Sequence, residues 1–285
     1  MRPRQWVKNL FILIPAFFDG KILCSDCLAA AVWAFILFSL TSGSVYCLND
    51  IVDAEADRNH PVKCRRPVAS GAVSVKEAGL IMAVLLAGAA AVAGIVFAWN
   101  IAVWIIIGSY LVMNILYTFR LKNYAITDVF IIATGFVLRL VLGGAVCGIW
   151  LSPWIVCMTF LLALFLAFAK RRDDVILIEN SGKVTRNNVT GYNLAFMNQT
   201  IGLTGTVTMV CYIIYSVSPE VEERLGCGYI YISSVFVLAG ILRYLQLTIV
   251  YGQSGSPTRL LLTDRFLQLC ILAWILFFIV VIYVW

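Results

Sequence analysis

The stretch Cys27–Asp57 reads CLAAAVWAFILFSLTSGSVYCLNDIVDAEAD, carrying no charge from Cys27 to Leu48 and then turning acidic from Asn49 onward. Crossing the roughly 30 Å of bilayer hydrocarbon takes about 20 residues of helix. The stretch therefore predicts a membrane span over 27–49 whose far end carries carboxylates. The whole chain agrees: 285 residues, 62% hydrophobic, 13% charged and a mean hydropathy of +0.93, where soluble domains carry about 25% charged residues. A water-soluble domain is excluded, as are a disordered chain and a disulfide-stapled secreted module. No nucleic-acid partner is expected.

Working outward, the hydropathy predicts nine transmembrane helices near 4–19, 27–49, 77–98, 100–118, 126–146, 152–170, 196–217, 228–250 and 266–285. In lipid each backbone polar group must be bonded within its own segment, so the expectation is an all-α polytopic bundle, a single integral membrane domain over residues 1–285. Met1-Arg2-Pro3-Arg4-Gln5-Trp6 lacks a small-residue cleavage site, so no removable signal peptide is expected. Nine cysteines accompany a single His, and the pair Cys24 and Cys27 has no second pair, so zinc is not expected.

Alternating nine spans puts 17 of the 21 basic residues on one face, among them Arg58, Lys63, Arg65, Arg66, Arg120, Lys122, Lys170 and Arg171. The positive-inside rule makes that face cytoplasmic. Two basic residues, Arg139 and Arg243, fall inside spans. A bilayer-buried arginine is costly and usually faces a polar cavity or pairs between helices, and the cavity reading makes Arg139 a substrate-binding candidate.

At the cytoplasmic end of the second span, 100° per residue places Asn49, Asp50, Asp53 and Asp57 within an arc of about 100°, with Glu55 pointing elsewhere. Like charges this close call for a cation, and hard oxygen ligands suit Mg²⁺ bridging to substrate phosphates. The next residues, Arg58-Asn59-His60-Pro61-Val62-Lys63-Cys64-Arg65-Arg66-Pro67, are densely basic. Metal and diphosphate together account for both signs of charge. An acidic, merely solvated helix end is the plainer alternative.

Asn-Asp-x-x-Asp-x-x-x-Asp followed by Arg58, His60-Pro61, Arg65-Arg66-Pro67 and Gly71 resembles the first aspartate-rich motif of the UbiA superfamily of intramembrane prenyltransferases. That resemblance implies a nine-helix UbiA-like bundle with a Mg²⁺-dependent site open to the cytoplasm. The region Tyr117–Asp128 carries a lysine and one carboxylate instead of a second Asp-x-x-x-Asp pair. With Arg2-Pro3-Arg4-Gln5-Trp6-Val7-Lys8-Asn9, Ala169-Lys170-Arg171, Pro257-Thr258 and Asp264-Arg265, it is similar to the decaprenyl-phosphate phosphoribosyltransferase branch.

The likeness implies transfer of 5-phosphoribosyl from phosphoribosyl diphosphate to a polyprenyl phosphate at the inner membrane, for envelope polysaccharide synthesis. Asp50, Asp53 and Asp57 would hold Mg²⁺, with Asn49 orienting the site. Arg65, Arg66, Arg120 and Lys122 are candidates for the 5-phosphate, Arg58 and Lys63 for further anion contacts, and Lys170 with Arg171 for the lipid phosphate. Asp128 either completes the metal shell or holds Lys122, and Tyr117 is a weaker substrate-binding candidate. Two other readings compete: a UbiA-type prenyltransferase using an isoprenyl diphosphate, and a lipid or solute transporter, whose ionisable groups would sit nearer the midplane.

Overall fold

Backbone amides and carbonyls in hydrocarbon have no water to bond, and the chain answers with helix wherever it is apolar. The computed structural model describes residues 3–58, 63–181, 191–253 and 257–284. Arg2, His60, Pro61, Lys183 and Arg186 lie outside the described residues. The elements are a 3₁₀ segment Pro3–Leu13, α1 Ile14–Phe18, α2 Ser25–Val52, α3 Ala54–Arg58, α4 Val75–Val96, α5 Ile101–Phe119, α6 Thr127–Cys147, α7 Pro153–Ser181, α8 Leu194–Ser216, α9 Pro219–Leu225, α10 Ser234–Leu245, α11 Pro257–Thr263 and α12 Arg265–Ile279.

Among the described residues, seven helical segments are long and apolar enough to cross a membrane, or eight if α8 and α9, bent by 60°, form one span. The protein is a multi-pass membrane protein of all-α architecture. The expected first span is the element that differs: Gln5–Phe18 is shorter than the others and mostly 3₁₀. Pro15 at the start of α1 has no N–H to give, so the α-helical ladder begins afresh there.

The chain divides into two compact units, residues 1–131 with 135–151, and residues 132–134 with 152–285. In the first unit α2 is the central helix. Leu85 Cδ1 approaches Gly43 and Leu40 Cδ1 approaches Gly88, the falling register of an antiparallel pair, so α4 returns alongside α2. A core of Ile12, Ala34, Leu37, Phe38, Ala89, Val103, Tyr110 and Leu142 fills the space between α2, α4, α5 and α6. Beyond α3, Ala54, Val68 and Ala78 form a small second core that folds the basic loop back onto the start of α4.

α4 opens on a capping box: Ser74 Oγ accepts from the Glu77 amide (3.2 Å) and the Glu77 carboxylate accepts from the Ser74 amide (2.8 Å). Ser74→Ala should cost about 1 kcal/mol in denaturant unfolding of the detergent-solubilised protein, and Ser74→Thr much less. In the second unit α7 packs on α8 and α10 on α12. There Arg172 bonds Asn198 Oδ1 (2.7 Å) and the Thr248 carbonyl (2.8 Å), joining α7 to α8 and to the π-helical turn Gln246–Val250 that continues α10.

Candidate active site

α2 ends at Asp53, whose φ of −90° and ψ of 2° leave the helix, and α3 resumes at once, with the Asp57 amide donating to the Asp53 carbonyl at 2.8 Å. The break corrects the continuous helix assumed from the sequence, yet the stripe survives it. Asp50 and Asp57 are buried at 7% and 4% exposure, Asp53 is half-buried and Glu55 is exposed. Buried carboxylates must be paired or hydrogen-bonded, and each of these meets a cation.

Arg66 supplies the first. Its Nη1 lies 2.5 Å from Asp57 Oδ2 and 3.7 Å from Asp50 Oδ1, bridging two carboxylates seven residues apart. The 3₁₀ turn Lys63–Arg65 and buried Val68 fix the loop that carries it. Lys122 supplies the second, its Nζ donating to Asp53 Oδ1.

The structure also brings in a residue that the sequence reading did not single out. Thr118 Oγ1 lies 2.5 Å from Asn49 Oδ1 and 2.7 Å from the Asn114 carbonyl, its one proton shared between two acceptors. Asn49–Thr118 and Asp53–Lys122 have the same offset of 69 residues. Two rungs of equal offset, one helical turn apart, mean that α5 and the short turn after it run parallel to α2. The signal was present in the spacing, since Thr118 and Lys122 stand four apart just as Asn49 and Asp53 do.

The loop that presents Lys122 ends at Ile126, whose φ of 68° is the sole positive value for a non-glycine among the described residues. A β-branched side chain there stores on the order of 1–3 kcal/mol, strain that persists where the surroundings fix a loop for function. Asp128, two residues on, is fully buried in the first turn of α6. Tyr117 is half-buried beside Thr118, Lys63 is half-buried, and Arg58, Arg65 and Arg120 are exposed around the cluster's chain segments.

Arg139 does not join the cluster. Its Nε donates to Asn9 Oδ1 (2.8 Å), its Nη1 to the Gly135 carbonyl (2.6 Å), and its guanidinium lies 4.4 Å from the Phe38 ring centroid and 5.4 Å from that of Tyr110. The expected cavity is filled by Asn9 and aromatic faces, which satisfy a buried guanidinium by hydrogen bonds and cation–π contact. The substrate-binding assignment of Arg139 is therefore replaced by a packing one.

In the second unit the helix expected to stop at residue 170 runs on as α7 to Ser181. Lys170 is exposed, but Arg171, at 2% exposure, pairs with Asp174 (3.2 Å) one turn along, and Arg172 is turned inward. Arg243 forms an ion pair with both carboxylate oxygens of Asp264, which also caps α12 through the Leu267 amide (2.9 Å). That guanidinium holds the Asp264 carboxyl below the usual carboxylate range.

Does the donor set suit a metal? Among the described residues no three Asp, Glu, His or Cys side chains stand close enough to share one ion. The motif offers hard oxygens singly or in pairs, with ammonium and guanidinium groups among them. Such a set fits Mg²⁺, which is usually held by one or two carboxylates, keeps several waters and binds substrate phosphates.

The profile of the UbiA prenyltransferase family matches residues 18–178, more than half of the chain. The chain belongs to this family. A protein of Mycolicibacterium smegmatis named decaprenyl-phosphate phosphoribosyltransferase is 34% identical over 96% of this chain and 88% of its own length. One of the same name from Mycobacterium tuberculosis is 32% identical over 96% and 90%. Among solved structures, a UbiA homolog from Archaeoglobus fulgidus bound to DMAPP and Mg²⁺ superposes with a TM-score of 0.70 at 20% identity, covering 99% of this chain and 98% of that one. The architecture described above is thus the UbiA fold, and the carboxylate cluster falls inside the matched residues.

Proposed function

We propose that this UbiA protein is a polyprenyl-phosphate phosphoribosyltransferase, a Mg²⁺-dependent enzyme that joins the ribose of phosphoribosyl diphosphate to a membrane-embedded polyprenyl phosphate and releases diphosphate. The observation that carries the reading is the end-to-end likeness to the two phosphoribosyltransferases. The chemistry of the cluster supports it: the motif that meets the leaving group is interleaved with cations suited to a polyanionic sugar donor.

In the reaction a phosphate oxygen of the lipid forms a bond to ribose C1 as the bond from C1 to the diphosphate oxygen breaks, and the electron pair departs on diphosphate. A phosphate monoester is largely ionised near neutral pH, so no strong base is required, which suits a chain with one histidine. Mg²⁺, when bound to Asp50, Asp53 or Asp57, would neutralise charge on the departing diphosphate. Arg66 and Lys122 lie among those carboxylates and are placed to take phosphate oxygens, while Asn49, held by Thr118, keeps the end of α2 in register. Arg58, Lys63, Arg65 and Arg120 border the same segments and serve the 5-phosphate; Lys170 is the exposed candidate for the lipid headgroup.

The basic excess supports a site that faces the cytoplasm from the inner membrane. The N-terminal segment serves as the ninth span. Eleven 3₁₀ residues at about 2.0 Å each and five α-helical ones at about 1.5 Å reach roughly 30 Å, the depth of the hydrocarbon.

Purified protein in lipid nanodiscs with Mg²⁺ should release diphosphate from phosphoribosyl diphosphate only when polyprenyl phosphate is present, and EDTA should abolish the release. Consumption of geranylgeranyl or dimethylallyl diphosphate instead would replace this reading with prenyl transfer.

A further inference from the structure

Each motif carboxylate already faces an internal cation: Arg66 spans Asp57 and Asp50, and Lys122 holds Asp53. A metal ion arriving alone would have to displace these cations and leave a guanidinium and an ammonium, both largely buried at 21% and 24% side-chain exposure, without anions. Stranding charges there is costly. A metal that arrives with a diphosphate escapes the cost, because the phosphate oxygens receive the displaced cations while the carboxylates turn to the metal. The two exchanges balance only together.

We propose that Arg66 and Lys122 act as internal counter-ions that lock the aspartate motif until metal and diphosphate bind as a unit, so that the site discriminates against free Mg²⁺ and couples metal affinity to donor occupancy. The proposal rests on the diphosphate-site reading above. Lys122 and Arg66 are on this view positioning residues for the metal and binding residues for the donor. Because the lock consists of side chains on two separate loops, each closing on a different carboxylate, either loop alone should be a partial lock. By reciprocity, whatever factor diphosphate adds to metal affinity, metal adds to diphosphate affinity.

The test is equilibrium dialysis of Mn²⁺ against the full chain in nanodiscs, at matched free Mn²⁺ activity, with and without inorganic pyrophosphate. In the unaltered protein pyrophosphate should tighten Mn²⁺ binding by about tenfold or more, within the range usual for coupled sites. Lys122→Met should tighten Mn²⁺ binding in the absence of pyrophosphate by severalfold and shrink the coupling, and Arg66→Met should do the same through Asp50 and Asp57. Lys76→Met, which removes an equal charge from the exposed start of α4, should leave Mn²⁺ binding within about twofold. If both cluster variants bind Mn²⁺ no more tightly than the unaltered protein while pyrophosphate coupling persists, the lock is overturned and the diphosphate site stands. If pyrophosphate leaves Mn²⁺ binding unchanged in the unaltered protein, both the lock and the diphosphate reading fall.

Discussion

Asp53→Asn is expected to lower turnover of phosphoribosyl diphosphate by at least about 10²-fold while leaving the protein folded. The substitution keeps the shape of the side chain and removes one negative charge, so packing at the end of α2 is unchanged. What is lost is a charged oxygen ligand for Mg²⁺ and the anion opposite Lys122. Removing one preorganised electrostatic stabiliser typically costs about 10²–10³ in kcat. Glu55→Gln is the matched control, two residues along but exposed and off the stripe, and should remain within about twofold. Initial rates of diphosphate release at saturating Mg²⁺ and lipid phosphate, with circular dichroism to confirm folding, decide the matter. Equal, small losses in the two variants would mean that the acidic run is only a solvated helix end. A transporter would likewise show little change in diphosphate release, because no bond is broken in its cycle.

How much of this was legible beforehand depends on which physical signal each feature leaves. Spans announce themselves because a bilayer imposes a length and forbids unpaired backbone, so α2, α4, α5 and α6 fall within a few residues of their expected places. The acidic stripe is equally local: Asn49, Asp50, Asp53 and Asp57 share a face by arithmetic on one helix, and across the break at Asp53 the Arg66 guanidinium still reaches both Asp50 and Asp57. The partners were not local. Nothing in the order of residues says that Arg66, rather than exposed Arg65, turns inward onto the carboxylates, because that choice is made by Val68 and Ala78 packing behind the loop. Arg139 misled for a related reason. Charge inside a span signals a partner, but whether the partner is a ligand or the amide of Asn9, 130 residues away, is decided by tertiary packing. Arg171 and Arg172 fall beyond the span expected to end at 170, because basic residues usually end a span; here Asp174 pairs with Arg171, the Asn198 amide oxygen accepts from Arg172, and the helix continues.

Gly143→Ala is expected to be among the most destabilising single-methyl changes available in the first unit. A Cβ at Gly143 would stand 2.0 Å from the Ile12 carbonyl oxygen and 2.9 Å from its carbon, so the clash is with backbone that cannot rotate away. Ile12 is fully buried against Leu142 and the α2 core, which closes the other direction of escape. Overpacking typically costs about 1–3 kcal/mol, and a backbone collision of this depth belongs at or above the top of that range. The same surface explains why the N-terminal segment is 3₁₀. On α6, Arg139 and Gly143 lie four residues apart, one α-helical turn; on the segment, Asn9 and Ile12 lie three apart, one 3₁₀ turn, and the two pairs meet rung to rung. Gly108→Ala on α5, where a Cβ meets nothing within 4 Å, should be neutral or stabilising by about 0.5–1 kcal/mol, since alanine is the better helix former. Denaturant unfolding of both variants in the same detergent separates them. If Gly143→Ala unfolds like Gly108→Ala, the segment is not held against α6 by its backbone; if it is the weaker by several kcal/mol, then Asn9→Ala, which frees Arg139 without a clash, should reproduce part of the loss, because the two contacts hold one element in one register.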